Sequence, residues 1–124
     1  MTTLQNLFNS PEKFYTVKST DTNNYNVLLP NILYTEMENF AKEVILSNSS
    51  IAYPIPQLYK LQILKSVYAD EHLVFKTQIV KYSEFELQLL VNVSKKELSE
   101  EEKEDMICKA VFKFNLKESI SRAS

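Results

Sequence analysis

The residues best suited to chemistry lie in one stretch, DTNNYNVLLPNILYTEME, which runs from Asp21 to Glu38. A polar loop carries the carboxylate Asp21 and the amide Asn23, and a predicted helix carries the second carboxylate. The unpaired N–H groups at a helix start stabilise negative charge. Proline has no N–H, so the donor at the predicted start, Pro30-Asn31, must be Asn31 or a later residue. The stretch indicates either the mouth of an active site or ordinary loop and helix-capping chemistry.

The helix that would position Glu38 is the strongest periodic signal in the chain. Pro30 suits a first helical position, and Ser47-Asn48-Ser49-Ser50 ends the pattern. The wide apolar stripe predicts a helix buried against a sheet. Its members recur at steps of three and four residues: Leu29, Ile32, Leu33, Met37, Phe40, Ala41, Val44 and Ile45.

Five strands are predicted around this helix from apolar and alternating segments. One precedes it and four follow it, and a short helix is expected at residues 3–10. In the fourth strand Phe85, Leu87, Leu89, Val91 and Val93 are expected on one face, and in the last Cys108, Ala110, Phe112, Phe114 and Leu116. The strands are Phe14–Lys18, Gln57–Tyr68, His72–Tyr82, Glu84–Ser94 and Met106–Leu116.

The order of these elements predicts an α+β fold. The four later strands are expected to form an antiparallel meander, and one central helix with about five strands allows the sheet to curl around it. Cystatin-like folds share the order of a helix followed by a meander, so periodicity alone leaves both architectures open.

Composition narrows the class of protein. The 124 residues predict one domain, residues 1–124, and the net charge of −2 provides no basic field for nucleic acid. One cysteine, no apparent signal peptide and no apolar run of about 20 residues predict a cytoplasmic protein without a membrane span. The chain has no glycine, which excludes glycine-rich phosphate loops and requires Asn or Asp wherever φ is positive.

The opening stretch resembles the pattern D-T-N-x-x-G-x-x-F-G-G-x-x-x-x-x-M-D of hotdog-fold acyl-CoA thioesterases, in the cytosolic acyl-CoA hydrolase branch. Residues 21–23 match its beginning, and Met37 and Glu38 match its end at the same separation. Asn26 stands at the first glycine, and Pro30-Asn31 stands at the glycine pair. Ile63-Leu64-Lys65-Ser66-Val67 is similar to the family phrase F-I-K-P-I, and the resemblance covers roughly residues 14–118.

The resemblance implies a long central helix wrapped by a curved antiparallel sheet of about five strands. It also implies a homodimer or dimer of dimers, whose sheets join edge to edge and whose thioester lies at the dimer interface near the helix start. Glu38 would then act as nucleophile or general base across the interface. Asn23 would orient the substrate carbonyl or the water, and Asn31 would stabilise the oxyanion. Asp21 is the second choice for the carboxylate.

Each of these residues also has an ordinary structural interpretation. Glu38 is then a solvated helix carboxylate, Asn23 a turn residue, and Asp21 a loop or capping residue. Pro30 and Asn31 add bulk where the family has glycines, so a non-catalytic hotdog protein that binds acyl-CoA or acyl chains is the alternative function. A cystatin-like interaction domain is a third possibility.

The remaining reactive residues predict no further chemistry. His72 is the only histidine and is expected at the surface, away from the site. Cys108 alternates into an apolar face and is expected to be a small buried hydrophobe. No Cys/His cluster is present to hold a metal, and no cofactor is predicted.

Overall fold

The computed structural model describes residues 12–48, 54–96 and 105–116, and the short helix predicted at 3–10 lies outside them. A one-turn 3₁₀ helix, Ser19–Asp21, precedes the long helix. That helix, α1, begins at Pro30 and ends at Asn48, as the proline and the serine-rich stop predicted. The strands are β1 (Lys13–Thr16), β2 (Gln57–Ile63), β3 (His72–Tyr82), β4 (Glu86–Lys95) and β5 (Asp105–Asn115).

The five strands form one antiparallel sheet in the order β1-β3-β4-β5-β2. The predicted meander is confirmed for β3, β4 and β5. It is wrong for β2, which pairs with β5 at the far edge and not with β3. The chain must therefore cross three strand spacings between β2 and β3, about 14 Å.

The crossing segment, residues 64–71, explains why β2 ends at Ile63 and not at the predicted Tyr68. Leu64 N and Lys65 N still donate to Ile107 O of β5, and from Val67 to Ala69 the backbone bonds go to the loop that precedes α1. Leu28 N donates to Val67 O at 2.7 Å, and Ala69 N donates to Asn26 O at 3.0 Å. The loop and the crossing segment thus hold each other at one end of the helix.

The core lies between α1 and one face of the sheet. Met37, Ala41 and Ile45 are fully buried along the helix. Opposite them, the side chains that alternate on β4 and β5 are buried as predicted. Phe40 packs edge-on against Phe75 of β3, with 6.1 Å between ring centroids. Burial of these large apolar side chains supplies the main driving force for the packing.

Phe85 does not follow the predicted alternation, because it is 61% exposed. It lies in the turn between β3 and β4, and β4 begins one residue later. Ser83 N donates to Glu86 O at 2.8 Å, and Ser83 Oγ accepts from Glu86 N at 3.1 Å. These turn bonds direct the Phe85 ring away from the core.

Among the residues that the structure describes, two have positive φ, Asn26 at 63° and Asp70 at 71°. Both are residue types expected to replace glycine at such positions. Among the helices of the described ranges, none is long and apolar enough to cross a membrane.

We expect Phe75→Ala to lower the free energy of unfolding by about 3–5 kcal/mol, because it removes a fully buried ring that contacts the helix. Phe85→Ala is the matched control and is expected to cost less than about 0.5 kcal/mol. Urea unfolding followed by circular dichroism measures both. Equal losses in the two variants would contradict the placement of the core.

Candidate active site

Asn23 organises the loop that leads into α1. Its Oδ1 atom accepts from Tyr25 N at 2.8 Å and from Val27 N at 3.1 Å. Its own N–H donates to Val27 O at 2.9 Å, and Thr22 bridges to Leu28 across the loop. The loop therefore folds back on itself, as the turn interpretation of Asn23 predicted. Within the described residues the Nδ2 group has no partner, so the amide can still donate to a ligand.

The start of α1 presents an unpaired donor. Leu29 O accepts from Ile32 N at 3.0 Å and from Leu33 N at 3.1 Å. Pro30 has no N–H, and no atom of the described chain accepts from Asn31 N. Leu29 N donates to Asp21 O at 3.0 Å, which ties the loop to the helix start. Asn31 is thus the first residue of the helix whose backbone N–H is available to a ligand.

The Asp21 carboxylate is hydrogen-bonded to a residue of β1. Its carboxylate accepts a hydrogen bond from the Tyr15 hydroxyl of β1, and the Tyr15 ring packs edge-on against Phe75 at 6.3 Å. Burial, then the hydrogen bond and charge of Asp21 and the charge of Glu36, raise the pKa of Tyr15 well above its ordinary value. This geometry corresponds to the loop interpretation of Asp21.

Glu38 lies seven residues beyond Asn31, about 10 Å along the helix axis. Tyr34 lies one turn earlier than Glu38 on the same face of the helix and packs against Phe112 of β5, with 6.0 Å between ring centroids. Burial first, and then the nearby Glu38 carboxylate, raise the pKa of Tyr34. Lys42 Nζ lies 4.0 Å from Glu38 Oε1. Glu38 therefore occupies the flank of α1 that faces β5 and the β2 edge.

The opposite flank of the helix carries another carboxylate. Glu36 Oε2 pairs with Lys13 Nζ of β1 at 3.0 Å. The structure thus brings Asn23 and Asn31 to the same end of α1, but it does not bring Glu38 of the same chain to them. Sequence reasoning missed Tyr34. Its signal is the four-residue spacing to Glu38, which places both side chains on one face of a helix.

A cavity of about 70 Å³ lies beside the helix start. Residues of the loop, the first turn of α1 and the crossing segment form its wall: Val27, Leu28, Pro30, Leu33, Ile63, Lys65, Ser66 and Val67. Lys65 also forms an ion pair with Asp105. The cavity ends at the last residue of β2, so the open edge of the sheet borders it.

Within the described residues the β2 edge is uncovered. All seven of its residues are exposed, and large apolar side chains, among them Leu61 at 43% and Ile63 at 52%, lie beside the charged Lys60. An edge strand with unpaired backbone groups is a template for another chain. Natural proteins usually protect such an edge with charge, proline or a covering element, and here a single lysine stands among exposed leucine, tyrosine and isoleucine.

His72 and Cys108 lie where the sequence predicted. His72 is exposed, and its Nδ1 atom is 2.9 Å from Thr16 Oγ1 at the β1 edge. Cys108 is 1% exposed, and burial raises the pKa of its thiol to about 11, so it is not a thiolate at neutral pH. The part of the chain that the structure describes contains no group of three metal-ligating side chains.

Solved structures with the same arrangement are bacterial acyl-CoA thioesterases. The acyl-CoA hydrolase of Staphylococcus aureus, in complex with butyryl coenzyme A, coenzyme A and coenzyme A disulfide, superposes with a TM-score of 0.77 at 14% identity. That match covers 86% of this chain and 64% of the hydrolase, so this chain spans less than two thirds of that protein.

Two other neighbours are matched over more of their length. A hypothetical thioesterase of Streptococcus pneumoniae with coenzyme A has a TM-score of 0.70 and 17% identity, covering 86% of this chain and 79% of the other. A hexameric thioesterase of Yersinia pestis has a TM-score of 0.70 and 16% identity, covering 83% of each chain.

No protein-family model and no curated protein matches this sequence. The structural likeness sets the cystatin-like alternative aside, as does the separation of β2 from β3. One long helix on a five-stranded antiparallel sheet, with the strand order β1-β3-β4-β5-β2, gives this chain the hotdog fold of the acyl-CoA thioesterases.

Proposed function

We propose that this protein hydrolyses an acyl-CoA thioester at a site formed by two copies of the chain. The observation that carries the proposal is the unpaired helix start beside an open apolar edge, within the thioesterase fold. The Asn31 N–H and the Asn23 amide lie at one end of α1, and Glu38 faces the same open edge from further along the helix. The donors at the helix start of one copy and the Glu38 carboxylate of the other copy together form one complete site.

The spacing of the polar residues supports the same proposal. Structures of the S. aureus hydrolase include variants in which an asparagine and an aspartate, fifteen positions apart, are each replaced by alanine. Asn23 and Glu38 are also fifteen positions apart. Glutamate keeps the carboxylate and places it one methylene further from the backbone.

The chemistry follows from these groups. The thioester carbonyl oxygen accepts from Asn31 N, which stabilises the negative charge that develops on it. Asn23 Nδ2 donates to the carbonyl or to the attacking water and orients it. As a general base, Glu38 of the second copy takes a proton from the water as it attacks the carbonyl carbon, the C–S bond breaks, and the leaving thiolate takes up that proton. As a nucleophile, Glu38 attacks the carbon itself and displaces the thiolate, which forms an acyl anhydride. Water then hydrolyses the anhydride to the free acid and the Glu38 carboxylate, and the thiolate takes up the proton that the water releases.

Pairing through β2 would complete the site. A two-fold axis through this edge and perpendicular to the sheet pairs the two β2 strands antiparallel, extends the sheet across both copies and turns the Glu38 flank of each helix toward the other copy. It also covers Leu61 and Ile63, whose exposure is unexplained in a lone chain. A homodimer is thus the smallest working unit, and a dimer of dimers is compatible with it. Because its single thiol is buried and free, we expect this dimer in the cytoplasm.

The alternative is a hotdog protein that binds acyl-CoA or acyl chains without hydrolysis. Pro30 lines the cavity, and about 70 Å³ is far below the roughly 300 Å³ of small ligand sites. Tight acyl-CoA binding in calorimetry, with no thiol released from any acyl-CoA of a chain-length panel, would select this alternative.

Replacing the carboxylate tests the catalytic proposal. We expect Glu38→Gln to lower kcat for acyl-CoA hydrolysis by about 10²–10⁴, because the amide cannot accept the proton of the attacking water. Glu43→Gln, elsewhere on the same helix, is the control and should keep full activity. Release of coenzyme A, measured with a thiol reagent, reports both. A fully active Glu38→Gln protein would refute the role.

Mixing two inactive variants tests whether two copies share the site. In a dimer of one Asn23→Ala chain and one Glu38→Gln chain, one site combines both changes and the other has neither. Random pairing should therefore restore about one quarter of the wild-type activity. The mixture is refolded together and assayed for thiol release.

The control for this experiment is the two variants refolded separately and mixed only in the assay, which should remain inactive. If each chain holds a complete site, co-refolding restores nothing. Wild-type activity from a monomer in size-exclusion chromatography would equally contradict a shared site.

A further inference from the structure

The face of the sheet turned away from α1 gathers lysines that are scattered in the sequence. Residues directly paired in the register point to the same face. Lys76 of β3, Asn92 of β4 and Lys109 of β5 form one such row. Lys60 of β2 lies in the next row, which continues through Val111 and Leu90. Lys81 and Lys113 share a third row, so a chain of net charge −2 presents five cations on one face.

Within the part of the chain that the structure describes, two of these lysines have no carboxylate partner. Glu86 lies 3.4 Å from Lys81 Nζ and 3.9 Å from Lys113 Nζ, and Glu12 lies 3.8 Å from Lys76 Nζ. In the described ranges, no carboxylate pairs with Lys60 or Lys109. These two are therefore the cations available to an anionic ligand.

Lys60 and Lys109 line a groove of about 480 Å³. This volume is within the range of small-molecule sites, roughly 300–1,000 Å³. The side chains of Leu90 and Val111 form an apolar floor, and the Gln62 amide lies at the wall. A flat apolar ring with attached phosphates matches this lining, since the ring covers the floor and lysine binds phosphate as a point charge.

The groove and the cavity at the helix start meet at the end of β2. Gln62 lines the groove, and the next residue, Ile63, lines the cavity. Successive strand residues point to opposite faces of a sheet, so the two spaces are separated only by the last residues of the strand. A molecule with a flexible arm could occupy both by passing the strand end.

We infer that the groove between Lys60 and Lys109 binds the phosphorylated adenosine end of the coenzyme A substrate. The arm then passes the end of β2 and delivers the thioester to the helix start. This assignment rests on the proposed function, because it presumes that the thioester is carried on coenzyme A.

Comparing two substrates distinguishes an effect on binding in the groove from an effect on the hydrolysis reaction. We compare butyryl-CoA with butyryl-pantetheine, which keeps the thioester and lacks the nucleotide. The Lys60→Gln/Lys109→Gln double variant should raise KM for butyryl-CoA about tenfold or more and leave kcat/KM for butyryl-pantetheine unchanged. Lys76→Gln/Lys81→Gln, on the same face, is the control and should stay within about twofold for both substrates.

Direct binding gives a readout that does not need turnover. Calorimetry with adenosine 3′,5′-diphosphate should show about tenfold weaker binding to the double variant, and binding to the wild type should weaken with salt. The Lys60→Arg/Lys109→Arg variant keeps both charges and should bind the nucleotide about as tightly as the wild type.

The groove assignment is overturned if the double variant binds the nucleotide as tightly as the wild type. It is also overturned if kcat/KM falls equally for butyryl-CoA and butyryl-pantetheine. If neither substrate is hydrolysed by the wild type, the proposed function fails instead. The same calorimetry with coenzyme A then still decides the groove, because only binding that the double variant weakens supports it.

Discussion

Burial of one apolar stripe of α1 against the sheet orients the carboxylates of the helix. With Met37, Ala41 and Ile45 directed into the core, the positions on either side of Met37 must lie on opposite flanks of the helix. Glu36 is thereby turned to β1 and Lys13, and Glu38 is turned to β5 and the open edge. The two carboxylates are two residues apart in sequence, yet they face opposite edges of the sheet, Glu36 the β1 edge and Glu38 the β2 edge.

The second determinant is the mutual support of the loop before α1 and the segment that crosses from β2 to β3. Neither has a regular ladder of its own, and each satisfies backbone groups of the other, as in the Leu28 N to Val67 O bond. Tyr15 anchors the same loop to β1 through Asp21. The helix start is consequently held on two sides, and an unpaired N–H there keeps its direction before any ligand arrives.

Alternation on the strands explains why charge that is dispersed in the sequence is concentrated in space. The residues of β3, β4 and β5 that face away from α1 come from every second position, and register brings them side by side. The side chains on the inner face form the core, and the lysines lie on the outer face. An inspection of net charge or of local charge runs does not reveal this separation, since each lysine stands alone among apolar neighbours.

Local patterns along the chain predict the elements and most of their faces, because these depend on interactions within a few residues. The helix start at Pro30, the bounds of β3, the buried face of β5 and the use of Asn26 and Asp70 at positive φ all follow from local steric and periodic preferences. The tertiary structure alone decided that β2 lies at the far edge, that Phe85 leaves the core, that Asp21 binds Tyr15, and that Tyr34 accompanies Glu38. Strand order and side-chain partners arise from contacts between residues distant in the chain, and no local pattern encodes which edge a strand will join.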